Sequence, residues 1–393
     1  MSPSASAGWR VALHDVATTL APAFDRVVAY DLEGRPGSWF DSGVTLKRSL
    51  ASAVVGRRTV DGVRMRWTVP RPDAERRFAQ AIEIAGAAAD ALAAGTLPLD
   101  GADATELASR LSSAVRWTPE RLAAEADRFA AAYRPIPILP PDQYGAIVVQ
   151  ASFGCSWNRC TYCSFYQDRA FEVREPDAFA AHLGAVDALL GRSAAARRSL
   201  FLADGNALVL SNRRLRPLIE AARDRFPERP LAGFVDVFSG ERKSVDAWRE
   251  LHAWGLQRVA VGVETGHDPL LAFLNKPGSA DEAATFIATL KEAGLSVAAI
   301  LMVGAGGARY ADGHLRDSAA LLRRLPLGRE DVVYLSPFVR HPGSRYDQLA
   351  RENDARDLTR AERDAQEAAL RAAAREAVPN ARIARYSIDE FIY

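Results

Sequence analysis

Cys155, Cys160 and Cys163 lie within GCSWNRCTYCSFY (154–166), and they are the only cysteines among 393 residues. An odd number packed into one loop cannot staple a secreted fold. Close-set thiols in a chain otherwise free of cysteine point to a metal in a reducing compartment, so a cytoplasmic protein is expected. Three thiolates from one short loop can hold three irons of a [4Fe–4S] cluster and leave the fourth iron without a protein ligand. An open iron of that kind can coordinate a substrate or cofactor directly. Two other readings stand beside this one. A structural zinc site takes four ligands, commonly Cys₃His. No histidine adjoins the loop, and His267 and His341 are best placed to arrive from other strand ends. The thiols could also be buried and inert.

The loop follows GAIVVQASF (145–153), a buried-strand run. Five more such runs come after it: 199–205, 231–239, 257–266, 295–307 and 331–339. Helical stretches are expected at 176–192, 212–226, 244–254, 280–293 and 312–325, with a last one beginning at RYDQLAREN. Near-continuous apolar strands alternating with helices belong to a parallel sheet covered by helices. Six units suit an α/β fold of partial (β/α)6 TIM-type barrel form, with an open doubly wound sheet as the competing topology. In such a barrel the loops after the strands carry the chemistry, which is where the cysteines stand.

Ahead of the barrel, residues 27–70 favour strands and turns, and 73–94 and 118–133 favour helices, which describes an N-terminal α+β extension. RPIPILPPDQY holds four prolines and reads as a linker. The expected organisation is an accessory region over 1–134, a linker over 135–144, the barrel over 145–345, and a helix-strand tail over 346–393. The tail ends ARIARYSIDEFIY, which alternates like a strand; its terminal SIDEFIY is expected to pair with a sheet edge, the alternative being that it folds back over the barrel mouth.

GCSWNRCTYCSFY resembles the signature of the radical S-adenosylmethionine (radical SAM) superfamily, in which three cysteines follow the first strand of a partial barrel. The usual spacing is C-x3-C-x2-C with an aromatic residue before the last cysteine; Tyr162 matches that aromatic. Here the first gap encloses four residues, S-W-N-R. The likeness runs over about 140–345. GVETGHDPLLAFLNKPGSADEAATFIATLKEAGL is similar to the middle of enzymes related to oxygen-independent coproporphyrinogen oxidase, including Elongator-type and methylthiotransferase groups.

The resemblance implies a [4Fe–4S] cluster on Cys155, Cys160 and Cys163 whose open iron binds the amino and carboxylate groups of S-adenosylmethionine. One-electron reduction then yields a 5′-deoxyadenosyl radical, which takes hydrogen from a substrate. It also implies an electron donor such as flavodoxin or ferredoxin. Ala203, Asp204 and Gly205 fill the place usually written Gly-Gly-Glu, which receives the methionine amino group; the first glycine is missing, and an Asp-Gly turn that merely ends the strand is the other reading. Glu264 ends the fourth strand, where a polar residue holds ribose hydroxyls; a salt bridge across the rim is the other reading. Val303 and Gly304, in MVGAGG, fall where the loop lies against adenine. Asp236, Arg340, His341, Tyr166, Gln167 and Arg169 are substrate-side candidates or ordinary rim residues. The alternative is a zinc- or cluster-stabilised binding protein on a barrel scaffold, without radical chemistry. A family member that binds the cofactor but cleaves nothing is a third reading.

Lys+Arg (50) and Asp+Glu (49) nearly cancel, which argues against a nucleic-acid or anionic-membrane partner. The five arginines of RRTVDGVRMRWTVPR (57–71) read as a solvated strand face in an arginine-rich chain. The N-terminus has no leader pattern, and no run has the length of a membrane span. No cobalamin-binding signature precedes the barrel.

Overall fold

The computed structural model describes residues 8–388 and 391–393, with backbone alone at 63 and 64. Residues 1–7 of the leader-free reading, and Asp389 and Glu390 of SIDEFIY, lie outside the described residues. The chain divides into two compact units. One comprises Met1–Pro135, Gly184–Arg197 and Ile392–Tyr393; the other comprises Ile136–Leu183 and Arg198–Phe391.

The first unit is built on an antiparallel meander. Its strands are β1 (Arg10–His14), β2 (Ala17–Ala23), β3 (Arg26–Asp31), β4 (Pro36–Asp41), β5 (Val44–Arg48), β6 (Val54–Val60) and β7 (Val63–Thr68), paired in chain order. Ser42–Gly43 and Asp61–Gly62 each have two positive φ angles. That backbone matches the twist of a two-residue hairpin, and glycine takes the second position without strain. Helix Arg71–Ala93 presents Ala74, Phe78, Ala81, Ala85 and Ala88 to the core, where Phe78 meets Trp39 with ring centroids 5.8 Å apart. Strands β1 and β2 precede the expected start of strand structure. Helix Ala104–Ala114 was not expected from the sequence; Asp103 caps it by accepting from the Glu106 N–H. The arginines of 57–71 fall on the β6–β7 hairpin and the start of the following helix, with Arg58 exposed.

In the second unit β8 (Ile147–Gln150) is followed by a two-residue antiparallel ladder of β9 (Ser152–Phe153) and β10 (Glu172–Val173), which closes the base of the cysteine loop. Then come β11 (Leu200–Ala203), β12 (Leu231–Asp236), β13 (Leu256–Glu264), β14 (Ser296–Val303), β15 (Val332–Pro337) and β16 (Arg382–Arg385). Apart from β9 and β10 these strands form one parallel sheet in chain order, β8-β11-β12-β13-β14-β15-β16. A doubly wound sheet would reverse direction partway along that order. The uninterrupted order, with a helix after each of the first six strands, is that of a partial TIM-type barrel.

Several strand ends differ from expectation. β12 stops at Asp236, whose carboxylate accepts from the Ser239 N–H and starts the helical turn Val237–Gly240. β14 stops at Val303, and helix Gly307–Leu322 begins five residues before the expected 312. β16 adds a seventh strand to the parallel sheet at the β15 edge. The strand reading of ARIARYSIDEFIY holds only for Arg382–Arg385, and the described residues of SIDEFIY form no strand at the sheet edge. Beyond it Tyr386, Phe391 and Tyr393 are buried without strand pairing.

Candidate functional site

The cysteine loop leaves β9 through Gly154, which has φ +73°, and a Cβ there would come within 2.9 Å of the Ala170 carbonyl oxygen. Glycine is required at that close approach. The loop is then pinned to the segment after β13. Thr161 N–H donates to the Leu274 carbonyl at 2.9 Å, the Trp157 indole to the Asn275 carbonyl at 2.9 Å, and the Asn275 amide to the Arg159 carbonyl at 2.8 Å. Asn158 donates to the Tyr166 carbonyl at 2.7 Å, and Gln167 to the Cys163 carbonyl at 2.9 Å. These bonds fix the loop without using a thiol.

All three cysteines are free, half-buried and on the wall of one cavity at the C-terminal ends of the strands. Burial pushes the Cys163 thiol up to about 11 and the Cys160 thiol up to about 12. A coordinating metal ion reverses that preference, because a ligating thiol is deprotonated outright. Three soft thiols facing one cavity are a donor set that fits an iron–sulfur cluster. Among the described residues, no three His, Cys, Asp or Glu side chains are grouped to hold a single metal ion. His341 lines the same cavity. His267 instead meets Asp317 at 2.6 Å.

Glu264 reaches the cavity through a bulge. The β13–β14 register shifts between Gly262 and Glu264, and Glu264 has φ +65°. Bulges re-aim side chains next to functional sites. Oε1 of Glu264 accepts from the Tyr162 hydroxyl at 3.0 Å and from the Lys276 ammonium at 3.0 Å. A Cβ at Gly262 would come within 2.5 Å of that oxygen and 3.0 Å of the ammonium nitrogen, so the absence of a side chain makes room for the pair. Burial works against the Lys276 charge, but Glu264, aided by Cys160 and Asp236, outweighs it and the net shift is upward. Burial, then the Glu264 charge, keeps the Tyr162 phenol protonated.

The other expected residues divide between the wall and the layer behind it. Gly205 is on the wall, where a Cβ would meet the Tyr166 ring at 2.4 Å. Asp204 turns towards the base of the cysteine loop. It accepts from the Gln150 amide at 3.3 Å and the Gly154 N–H at 3.2 Å, and Arg169 is 3.5 Å away. Ala203 ends β11 beside Gln150. Met302 faces the cavity, whereas Val303 and Gly304 stand behind it; the Gly304 N–H donates to the Gln366 side chain at 2.7 Å. Asp236 is on the wall and bonded to Ser239 and Asn206. Arg340 is held away by Asp347 and Asp357. Lys276 was not foreseen. Its signal was composition: only Lys47, Lys243, Lys276 and Lys291 are lysines in a chain that otherwise uses arginine. A compact ammonium serves where a guanidinium fork does not fit.

Burial raises the Asp204 carboxyl from 3.8 to about 6, against the opposing pull of Gln150 and Gly154. The folded state therefore holds that proton more tightly than the unfolded chain does. The associated stability is fully present below about pH 4 and lost as pH rises through 6. Asp204→Asn removes the charge and leaves one donor less well matched. It is expected to stabilise cluster-free protein at pH 8 by about 1–2 kcal/mol, with the gain vanishing near pH 4. Urea melts at both pH values check this, and a pH-independent difference would contradict it.

Residues 149–317, rather less than half of the chain, match the model of the Radical SAM superfamily. No curated protein sequence matches it at a significant level. Similar solved structures include coproporphyrinogen III oxidase from Escherichia coli, a radical SAM enzyme: 17% identity, 61% of this chain, 54% of that one, TM-score 0.43. The [FeFe]-hydrogenase maturase HydG shows 15% identity over 78% of this chain and 65% of its own, TM-score 0.40. The cobalamin-dependent enzyme OxsB shows 15% identity over 60% of this chain, TM-score 0.40, and this chain spans about a third (32%) of its length.

Proposed function

We propose that this protein cleaves S-adenosylmethionine reductively on a [4Fe–4S] cluster held by Cys155, Cys160 and Cys163, and abstracts hydrogen from a substrate. The observation that carries the proposal is the placement of three free thiols on the same cavity wall as Glu264, Tyr162 and Lys276, within a radical SAM domain. When bound, the cluster and S-adenosylmethionine supply a 5′-deoxyadenosyl radical.

The chain's own residues do the rest. Glu264, fixed by Tyr162 and Lys276, offers its carboxylate to the ribose hydroxyls. The turn Ala203-Asp204-Gly205 at the end of β11 receives the methionine amino group, with Gly205 as its member on the cavity wall. The end of β14, Val303 and Gly304, backs the adenine, and Met302 is its cavity-facing side chain. Apolar walls exclude water from the reacting groups. Residues 145–345 carry this chemistry, with 1–134 as an accessory region and 346–393 as a tail. Flavodoxin or ferredoxin would supply the electron in the cytoplasm. Among the described residues no helix is long and apolar enough to cross a membrane.

Anaerobic reconstitution with iron and sulfide, followed by dithionite and S-adenosylmethionine, is expected to release 5′-deoxyadenosine, read by chromatography. Protein with a full cluster and bound cofactor that releases none would overturn the proposal.

A further inference from the structure

A buried polar atom without a partner is costly, and on a cavity wall it marks a place where a ligand can repay that cost. Tyr386 is 1% exposed and lines the cavity, and its hydroxyl has no hydrogen-bond partner. Among the described residues it is the one buried side-chain polar atom on this wall left in that state. The ring is held firmly. Its backbone N–H, just past β16, donates to the Leu335 carbonyl on β15 at 2.9 Å. It packs edge-on against Tyr334 with centroids 5.5 Å apart. Ala260 and Ala298 share its cluster and leave it space. Tyr334 differs in one respect: its own hydroxyl donates to Asp142 at 2.7 Å.

The surroundings define what could meet the Tyr386 hydroxyl. Ile138, Phe234, Ile300 and Ile388 line the cavity beside it. Burial keeps the phenol protonated, and neighbouring Tyr144, Tyr166 and Tyr334, with Glu264, act in the same sense. The hydroxyl is therefore available as a donor, in apolar company, on the wall that also carries the cysteines.

We infer that Tyr386 anchors the substrate by donating a hydrogen bond to an oxygen acceptor, and that the substrate is a largely apolar molecule bearing that acceptor. Only the word substrate rests on the radical reading; the binding claim stands on the cavity itself. A polar anchor among apolar neighbours fixes orientation. It would set which carbon of the bound molecule faces the cysteine loop, and hence where hydrogen is taken.

Acetophenone carries a carbonyl acceptor on an apolar body, and isopropylbenzene has nearly the same shape without it. Binding of both to cluster-loaded protein is measured anaerobically by equilibrium dialysis, and the bound carbonyl stretch by infrared difference spectroscopy. In the wild type the carbonyl band is expected below its frequency in hexane. In Tyr386→Phe that shift is lost and acetophenone binds about three- to tenfold more weakly, while isopropylbenzene binds both proteins alike. An unshifted carbonyl in the wild type, no binding of acetophenone, or an unchanged band and affinity in Tyr386→Phe each overturns the inference. Should the variant fail to fold, the wild-type carbonyl frequency decides alone. Wild-type 5′-deoxyadenosine release is scored separately: release with an unshifted carbonyl sinks the anchor only, and a shifted carbonyl without release sinks the radical reading only.

Discussion

Cys160→Ala is expected to leave a folded chain that no longer holds a cluster. Iron should fall from about four per chain to background, because two thiolates rarely retain a four-iron centre. The brown charge-transfer absorption and all 5′-deoxyadenosine release should go with it. The fold should survive because the loop is pinned through other atoms. Thr161 N–H holds the Leu274 carbonyl, its carbonyl accepts from the Tyr346 N–H at 3.0 Å, and Trp157 holds Asn275. Removing one half-buried sulfur from such a loop should cost no more than about 1 kcal/mol. A variant that keeps wild-type iron would remove Cys160 from the ligand set. Colourless wild-type protein carrying one zinc per chain would favour the binding-protein reading instead.

That a loop of thiols sits at a strand end was legible because both signals are local. The cysteines are concentrated in one stretch, and each barrel strand is an apolar run bounded by polar residues. What escaped depends on distant partners. Strands β1 and β2 are mostly half-buried, so they lack the unbroken apolar signal of β8 or β14. The bulge at Glu264 has no glycine or asparagine to announce its positive φ. The glycines of MVGAGG read as an open loop, yet Gln366 and Tyr346 claim the N–H groups of Gly304 and Gly306 from helices far along the chain. Asp204 reads as a turn residue facing a ligand until Gly154 and Gln150 are brought against it by the fold. Tyr386 reads as one more apolar step in an alternating tail. Its unpartnered hydroxyl becomes visible only when β16 closes onto β15.

The Glu264–Lys276 pair allows structure and function to be separated. Both side chains are about nine-tenths buried, at 10% and 9% exposure. Glu264→Ala leaves the Lys276 ammonium buried without its carboxylate, an expected loss of about 3–5 kcal/mol in urea melts. Weak cofactor binding by that variant alone would therefore be ambiguous. The double change Glu264→Gln with Lys276→Met removes both charges, keeps similar volume, and should recover stability to within about 1–2 kcal/mol of wild type. It also leaves Tyr162 an amide oxygen to bond. If Glu264 serves only the lysine, this protein should bind S-adenosylmethionine as well as wild type. If the carboxylate holds the ribose, the loss of a charge-assisted bond should weaken binding about 10- to 100-fold with iron content unchanged. Isothermal titration of cluster-loaded protein distinguishes the two. Wild-type affinity in the stable double variant would take Glu264 out of the cofactor site and leave it as the counter-charge that lets a lysine stand among the cysteines.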